Sequence, residues 1–177
     1  MDKTHLVMTV LGEDRPGLVE TLSDAVALHG GNWHESRMAH LAGRFAGIVH
    51  VEVPTDKKDA LCDVVALLEA AGLKVVVQED SPEKASAADS GDRNAELELV
   101  GHDRPGIVRE LSRTLSERGV NVEELHTERT SAAMSGEPIF KASVKLLLPD
   151  GLDLDSLRES VEEIASDLMV DVTLSGC

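Results

Sequence analysis

An internal repeat is the feature of this sequence that most limits the folds available to it. Residues 12–19 (GEDRPGLV) and 101–108 (GHDRPGIV) match at six of eight positions, with an offset of 89 residues. The same offset pairs Asn32 with Asn121 farther along the chain. A match of this quality within 177 residues predicts two copies of one small domain rather than a single larger domain.

The boundaries of the two copies follow from where the repeat changes register. From Phe45 and Phe140 onward the offset is 95, so the second copy has gained six residues within 130–138. Residues 81–94 are small and polar, include one proline and show no apolar periodicity, which is typical of a linker. We therefore predict a first domain at 1–80, a linker at 81–94 and a second domain at 95–177.

The apolar pattern of each copy predicts one order of secondary structure. Alternation at Leu6, Met8 and Val10 indicates a strand. Apolar residues three and four apart then indicate a helix that ends at Gly30, a position that suits a left-handed cap. A hairpin, a second amphipathic helix and a closing strand follow, which gives βαββαβ in both copies. This order predicts an α+β, ferredoxin-like fold, in which a four-stranded antiparallel sheet carries two helices on one face.

The second face of each predicted sheet needs a cover. Val7, Leu11, Ile48 and Val76 are apolar and fall on the side away from the helices. A domain of about 80 residues buries only a modest share of its surface by itself. We therefore expect the domains to pair with each other or with another chain, and the protein to be a homo-oligomer.

The charge and aromatic content argue against direct binding of nucleic acid. The chain has 33 acidic and 17 basic residues, a net charge of −16, and both halves are acidic. Its aromatic residues are Trp33, Phe45 and Phe140, too few to form a stacking platform for single strands. An acidic surface is compatible with a basic protein partner.

The apolar segments and cysteines exclude several further classes. No apolar run approaches the roughly 20 residues of a spanning helix, so we expect no membrane interaction. Residues 1–5 (MDKTH) lack the apolar stretch of a secretory signal, and we expect the protein to be cytoplasmic. Cys62 and Cys177 are too few for a disulfide framework and too far apart for a zinc motif.

The repeated Asp-Arg-Pro-Gly turn lies between the first strand and the first helix of each copy. Proline suits the first position of a helix, so we predict that the helices begin at Pro16 and Pro105. A helix N-terminus presents free amides and a partial positive charge, which suit a carboxylate or phosphate. The alternative is that Asp14 and Asp103 only cap the helices.

Other chemical motifs fail or stay open. The spacing Gly12-x4-Gly17 is that of a P-loop, but Leu18 and Val19 replace the Lys and Ser/Thr that the motif requires. His34 and His40 are six residues apart on a predicted strand, which places both on one face and leaves a metal site as an alternative. We predict no metal, no cofactor and no enzyme activity, because no catalytic constellation is repeated in both copies.

The turn, the helix and the Gly-x-Asn that opens the second strand resemble those of ACT domains, which sense small molecules in amino-acid metabolism. Gly30-Gly31-Asn32 and Gly119-Val120-Asn121 carry this last motif. The resemblance covers nearly the whole chain, and the tandem arrangement is similar to the glycine cleavage system transcriptional repressor family. It implies an amino acid bound at an interface between two domains, near the turn amides and the first residues of the second strand. The implied ligand-binding positions are Asp14, Arg15, Pro16, Gly17, Leu18, Val19, Asn32, Asp103, Arg104, Pro105, Gly106, Ile107, Val108 and Asn121.

The expected function is that of an amino-acid-sensing regulator. It would bind a small amino acid of the glycine or serine type and act on a protein partner, for instance a transcription factor in glycine metabolism. The inserted residues 131–136 are a candidate for the partner contact. Two alternatives stay open: a structural or oligomerisation module without a ligand and, third, an enzyme.

Overall fold

A computed structural model describes residues 2–80, 93–133 and 135–176 of the chain. The predicted linker at 81–94 lies outside the described residues except for Arg93 and Asn94, which belong to a strand. The chain divides into two compact units. Among the described helices, none has the length and apolar character needed to cross a membrane.

The first unit folds in the predicted order. Its elements are β1 (Lys3–Glu13), α1 (Leu18–Leu28), β2 (Asn32–Leu41), β3 (Arg44–Pro54), α2 (Lys58–Leu67) and β4 (Leu73–Glu79). Short 3-10 helices, Thr55–Lys57 and Leu68–Ala71, flank α2. The sheet has the order β2-β3-β1-β4 with antiparallel neighbours, so β2 and β4 are its edges.

The second unit repeats this topology. Its elements are β5 (Arg93–His102), α3 (Ile107–Glu117), β6 (Asn121–Ser131), β7 (Pro138–Leu148), α4 (Leu154–Leu168) and β8 (Val170–Gly176). The sheet order is β6-β7-β5-β8, again antiparallel throughout. Both units are therefore α+β and ferredoxin-like, as the repeat predicts.

Each unit has its own apolar core between sheet and helices. In the first unit Leu6, Met8 and Val10 are at most 1% exposed and belong to one cluster with the inner side of α1. The α1 residues of that cluster are Leu18, Leu22, Ala25 and Val26. Burial of each such side chain stabilises the fold by about 1.5–3 kcal/mol, so the predicted periodicities account for the position of the helices.

The helix-free face of the first sheet is apolar in its middle. Leu11, Ile48 and Val76 are about half exposed within the unit, as the alternation of the strands predicts. That these side chains are covered by another domain or chain stays a prediction.

Left-handed residues shape the connections. Gly30 and Gly119 both have φ of 69°, which confirms the predicted ends of the first helix in each unit. The β2–β3 connection consists of Ala42 and Gly43, both with positive φ, whereas the corresponding hairpin of the second unit is six residues longer. The closing strand β8 begins at Val170, directly after Met169, which is left-handed at the end of α4.

Candidate functional site

The helices begin later than the position of proline predicts. Gly17 and Gly106 precede α1 and α3 with φ of 91° and 98°, a left-handed conformation that no α-helix contains. The prediction that Pro16 and Pro105 are the first helical residues is therefore wrong, and both prolines lie in the turn before the helix. A β-carbon at either position would meet nothing within 4 Å, so packing does not require glycine there. The positive φ does, because residues with a β-carbon rarely adopt it.

The amides at the start of both helices lack a side-chain cap. The first bonds across the turn run from Thr21 N–H to the Gly17 carbonyl (2.9 Å) and from Glu110 N–H to the Gly106 carbonyl (3.0 Å). The alternative in which Asp14 or Asp103 caps its helix is therefore wrong. Uncapped amides beside open space are the arrangement that accepts a small anion.

The residues after each glycine divide into two kinds. Leu18 and Ile107 are 5% and 2% exposed and lie in the cores, so only their backbone amides can reach a ligand. Val19 and Val108 are 45% and 37% exposed, and their side chains lie beside the turn. In each unit, the backbone amides of the two residues after the glycine can thus reach a ligand. The second of them, Val19 or Val108, also presents an apolar side chain.

The two arginines of the turns bind main-chain carbonyls. Arg15 donates to the carbonyl of Ala71, and Arg104 donates to the carbonyl of Asp167 at 2.8 Å. Both acceptors lie at the end of the second helical segment, where backbone carbonyls lack a partner within the helix. The guanidinium groups therefore fasten the turn to the second helical segment, a positioning role that the sequence did not indicate.

The aspartates of the two turns have different surroundings. Asp103 Oδ2 forms an ion pair with Arg129 Nε on β6, at a distance of 2.6 Å. His40 occupies the corresponding position on β2, so this pair has no direct counterpart in the first unit. Glu137 Oε2, near the start of β7, lies 3.7 Å from His102 Nδ1 and brings the longer hairpin to the second turn. The second turn is consequently held by more side-chain contacts than the first.

Asn32 and the turn lie at opposite ends of the first unit. Asn32 pairs with Glu52 at one end of β3, whereas Glu13, just before the turn, pairs with Arg44 at the other. The 11 residues of α1 span about 16 Å between them. Asn121 is placed in the same way, opposite Leu147. The structure thus brings residues 14–19 together but not Asn32.

A groove runs along α1 on the side of the helix that faces β2. Its volume is about 430 Å³, and it lies between the helix and the edge strand β2. The lining residues are Val19, Ser23, Val26, Ala27, Gly31 and Trp33. Sequence reasoning did not single out Ser23 or Trp33. The spacing of Val19, Ser23 and Ala27 marks a second helix stripe that could have revealed the groove.

The two predicted strand histidines do not share a face. A β-bulge between Trp33 and Glu35 shifts the register at His34. His34 lies beside His5 and His50 on the helix-free face, while His40 pairs with Phe45, which packs against the core. The same-face prediction for His34 and His40 is therefore wrong, because a bulge changes the side-chain alternation.

Comparison with known proteins agrees with this geometry. A structure of an unknown protein from Galdieria sulphuraria is 27% identical, with a TM-score of 0.82 over 99% of both chains. A second structure is of a protein provisionally assigned as a glycine cleavage system transcriptional repressor. It is 20% identical, with a TM-score of 0.73 over 100% of this chain and 99% of that one, and so shows the same fold.

No curated protein sequence is similar enough to count as a match. Family models of the ACT domain match residues 4–78 and 95–165, which together are most of the chain. The chain belongs to the ACT-domain family and contains two ACT domains in tandem.

Proposed function

We propose that this protein is a cytoplasmic regulator that senses a small amino acid of the glycine or serine type. The observation that supports it best is the pair of uncapped, glycine-bordered helix N-termini, one in each ACT domain. Regulation acts on a protein partner, for instance a transcription factor that controls glycine metabolism. The fold shared with a provisionally assigned glycine cleavage repressor supports this choice of pathway.

The ligand carboxylate binds to the amides that follow Gly17 or Gly106. The partial positive charge of the helix N-terminus stabilises an anion there by about 0.3–1 kcal/mol at an exposed position. Arg15 and Arg104 keep each turn in place through their carbonyl contacts. The amino acid therefore meets a preformed backbone site, and its side chain lies beside Val19 or Val108.

The ligand ammonium binds to the side-chain oxygen of an asparagine from a different ACT domain. Asn32 and Asn121 are the candidates, because each begins the edge strand of its sheet. About 16 Å of helix separates the asparagine and the turn of one domain, and a glycine-sized ligand cannot span it. The requirement for two domains makes the ligand a bridge: its carboxylate accepts from the turn amides of one domain, and its ammonium donates to the asparagine oxygen of the other.

Bridging gives the ligand control over the arrangement of domains. A ligand shifts an equilibrium only by its differential affinity for the two states, and a two-domain site exists in just one of them. The arrangement with ligand presents a different outer surface to the partner protein. Residues 131–136, in the longer hairpin, remain the proposed partner contact, with Met134 outside the described residues.

The structural or oligomerisation module without a ligand is the second candidate. The half-exposed Leu11, Ile48 and Val76 on the helix-free face favour it, because they need a cover whether or not an amino acid binds.

Thermal unfolding of the full chain against a panel of amino acids, glycine and serine included, tests the sensor. A ligand at 100 times its dissociation constant stabilises by about 2.7 kcal/mol, which raises the Tm of a small domain by on the order of 10 °C. Replacing Asn32 and Asn121 by alanine should abolish the shift. Asn94→Ala, an exposed asparagine on β5, is the matched control and should retain it.

The remaining outcomes decide between the candidates. No shift with any amino acid at millimolar concentration would favour the structural module. Chemical turnover of an amino acid by the purified chain would favour an enzyme and contradict both.

A further inference from the structure

Three histidines from adjacent strands form a cluster on the helix-free face of the first sheet. His5 lies on β1, His34 on β2 and His50 on β3. Their ring centroids are separated by 5.3 Å (His5–His50), 5.6 Å (His34–His50) and 5.8 Å (His5–His34). The three rings thus form a nearly equilateral triangle, which no spacing in the sequence indicates.

The sheet brings the rings together for identifiable reasons. His5 precedes the buried Leu6, and His50 lies between the buried Val49 and Val51, so both face away from the helices. His34 is the extra residue of the β2 bulge, and the bulge directs its ring toward the other two. The cluster thus depends on a register shift as well as on strand alternation.

The ring nitrogens of the cluster have no strong partners. His50 Nε2 is buried and has no hydrogen-bond partner, since the nearest carboxylate oxygen, Asp80 Oδ2, is 3.7 Å away. His5 Nε2 and His34 Nε2 lie 3.7 and 4.0 Å from Glu52 Oε2, also beyond hydrogen-bond length. A buried, unpartnered ring nitrogen is costly and calls for a ligand that the protein itself does not supply.

We propose that His5, His34 and His50 bind a divalent transition-metal ion of the zinc class. Imidazole is a preferred ligand of such ions, and tetrahedral Zn²⁺ has Zn–N bonds of about 2.0–2.1 Å. Ring centres then lie about 3.2 Å from the metal and about 5.2 Å from each other. The observed separations of 5.3 to 5.8 Å are close to this value.

The rings have the required separation but not yet the required orientation. As the side chains are placed, no group of three His, Cys, Asp or Glu residues in the described part of the chain could hold a metal ion, so the three rings must turn before they bind one. The second side-chain torsion of histidine is broad, so the rings can turn toward one centre at little cost. All three side chains are 32–40% exposed, which leaves room for that rotation and a path for the ion.

The surrounding charges favour a cation. Glu52 lies beside two of the rings and Asp80 beside the third, and the whole chain carries a net charge of −16. Lys3 Nζ contacts Glu52 Oε1 at 2.5 Å and competes with the metal for this carboxylate. Three imidazoles leave the fourth position to Glu52 or a water molecule, as in metal sites with an open position.

The second unit offers an internal contrast. Asn94, Glu123 and Lys145 occupy the positions that correspond to His5, His34 and His50. No equivalent triad exists there, so the stoichiometry should be one ion per chain.

Titration of the untagged, chelator-treated full chain with Zn²⁺ tests the site, with binding measured by calorimetry. One equivalent should bind and raise the Tm, and Co²⁺ in its place should give the visible absorption of a tetrahedral site. Loss of a partner beyond the first coordination shell typically weakens metal binding by 10–100-fold, so His50→Gln should weaken it by more than about 100-fold. His40→Gln changes a histidine of β2 that lies outside the cluster and should leave binding unchanged.

Two results would overturn the proposal. The first is the absence of stoichiometric Zn²⁺ binding to the folded chain. The second is an affinity that survives replacement of His5, His34 and His50 by glutamine, which would place the ion elsewhere. Loss of binding in His50→Gln with an unchanged unfolding temperature of the metal-free protein supports the site independently of the amino-acid sensor.

Discussion

Replacing Gly17 by alanine distinguishes the observed start of α1 from the start that the sequence predicts. If Gly17 were a regular helical residue after Pro16, alanine would stabilise the protein by roughly 0.5–1 kcal/mol. In the structure Gly17 has φ of 91°, where a β-carbon costs about 1–2 kcal/mol. The two interpretations therefore predict opposite signs.

The magnitude can be assigned to the backbone alone. A β-carbon at Gly17 would meet nothing within 4 Å, so no packing change adds to the cost. Gly106 has φ of 98° and equally open surroundings, so Gly106→Ala should cost the same within error. Asparagine tolerates the left-handed region better than alanine, and Gly17→Asn should lie between alanine and the natural residue.

Urea unfolding of the full chain, followed by circular dichroism, measures these differences. Thermal unfolding gives a second readout, because a loss of 1 kcal/mol in the free energy of unfolding lowers the Tm of a domain of this size by about 4–8 °C. A stabilised Gly17→Ala variant, or a large difference between Gly17→Ala and Gly106→Ala, would refute the left-handed turn.

Three further perturbations test separate contacts. Arg104→Met removes the donor to the carbonyl in the last turn of α4 and should lower the free energy of unfolding by about 0.5–1 kcal/mol in urea, and an unchanged value would deny the positioning role. Asp153→Ala removes the side chain that accepts from Ser156 N–H at 3.0 Å, so α4 should lose about 1 kcal/mol in the same assay, whereas Asp153→Asn should retain most of it. Burial raises the pKa of the Cys62 thiol, which leaves less of the reactive thiolate near neutral pH. In a Cys177→Ser variant, a thiol reagent should therefore modify Cys62 faster after unfolding in urea than in the native protein. Equal rates would contradict the burial.

The fold could be predicted because repetition and periodicity reflect the same packing twice. Leu6, Met8 and Val10 are buried because alternate strand residues must face the helices, a rule that needs no knowledge of the partner strands. The left-handed Gly30 follows from the end of an apolar helix stripe followed by glycine. Both features depend only on residues that are close together in the chain.

For the candidate site, the types of residue could be predicted from the sequence, but their contacts and relative positions could not. Arg15 binds the carbonyl of Ala71, far along the chain, and main-chain acceptors leave no pattern in a sequence. The separation of Asn32 from its own turn depends on the path of α1 across the sheet. Pro16 suggested an earlier helix start because proline is favoured at the first helical position, but the dihedral angle of the next residue decides the matter.

The bulges in β2 and β6, one of the two edge strands of each sheet, also bear on solubility. An edge strand presents unpaired N–H and C=O groups to any other extended chain, and long, regular edges promote aggregation. In β2 the register breaks between Trp33 and Glu35, and in β6 between Val122 and Glu124. A foreign strand cannot form an uninterrupted ladder along the whole of β2 or β6. At β2 and β6 both ACT domains thus resist fibril-like growth of the sheet, whereas the regular register of β4 and β8 leaves the opposite edge suited to an ordered neighbour.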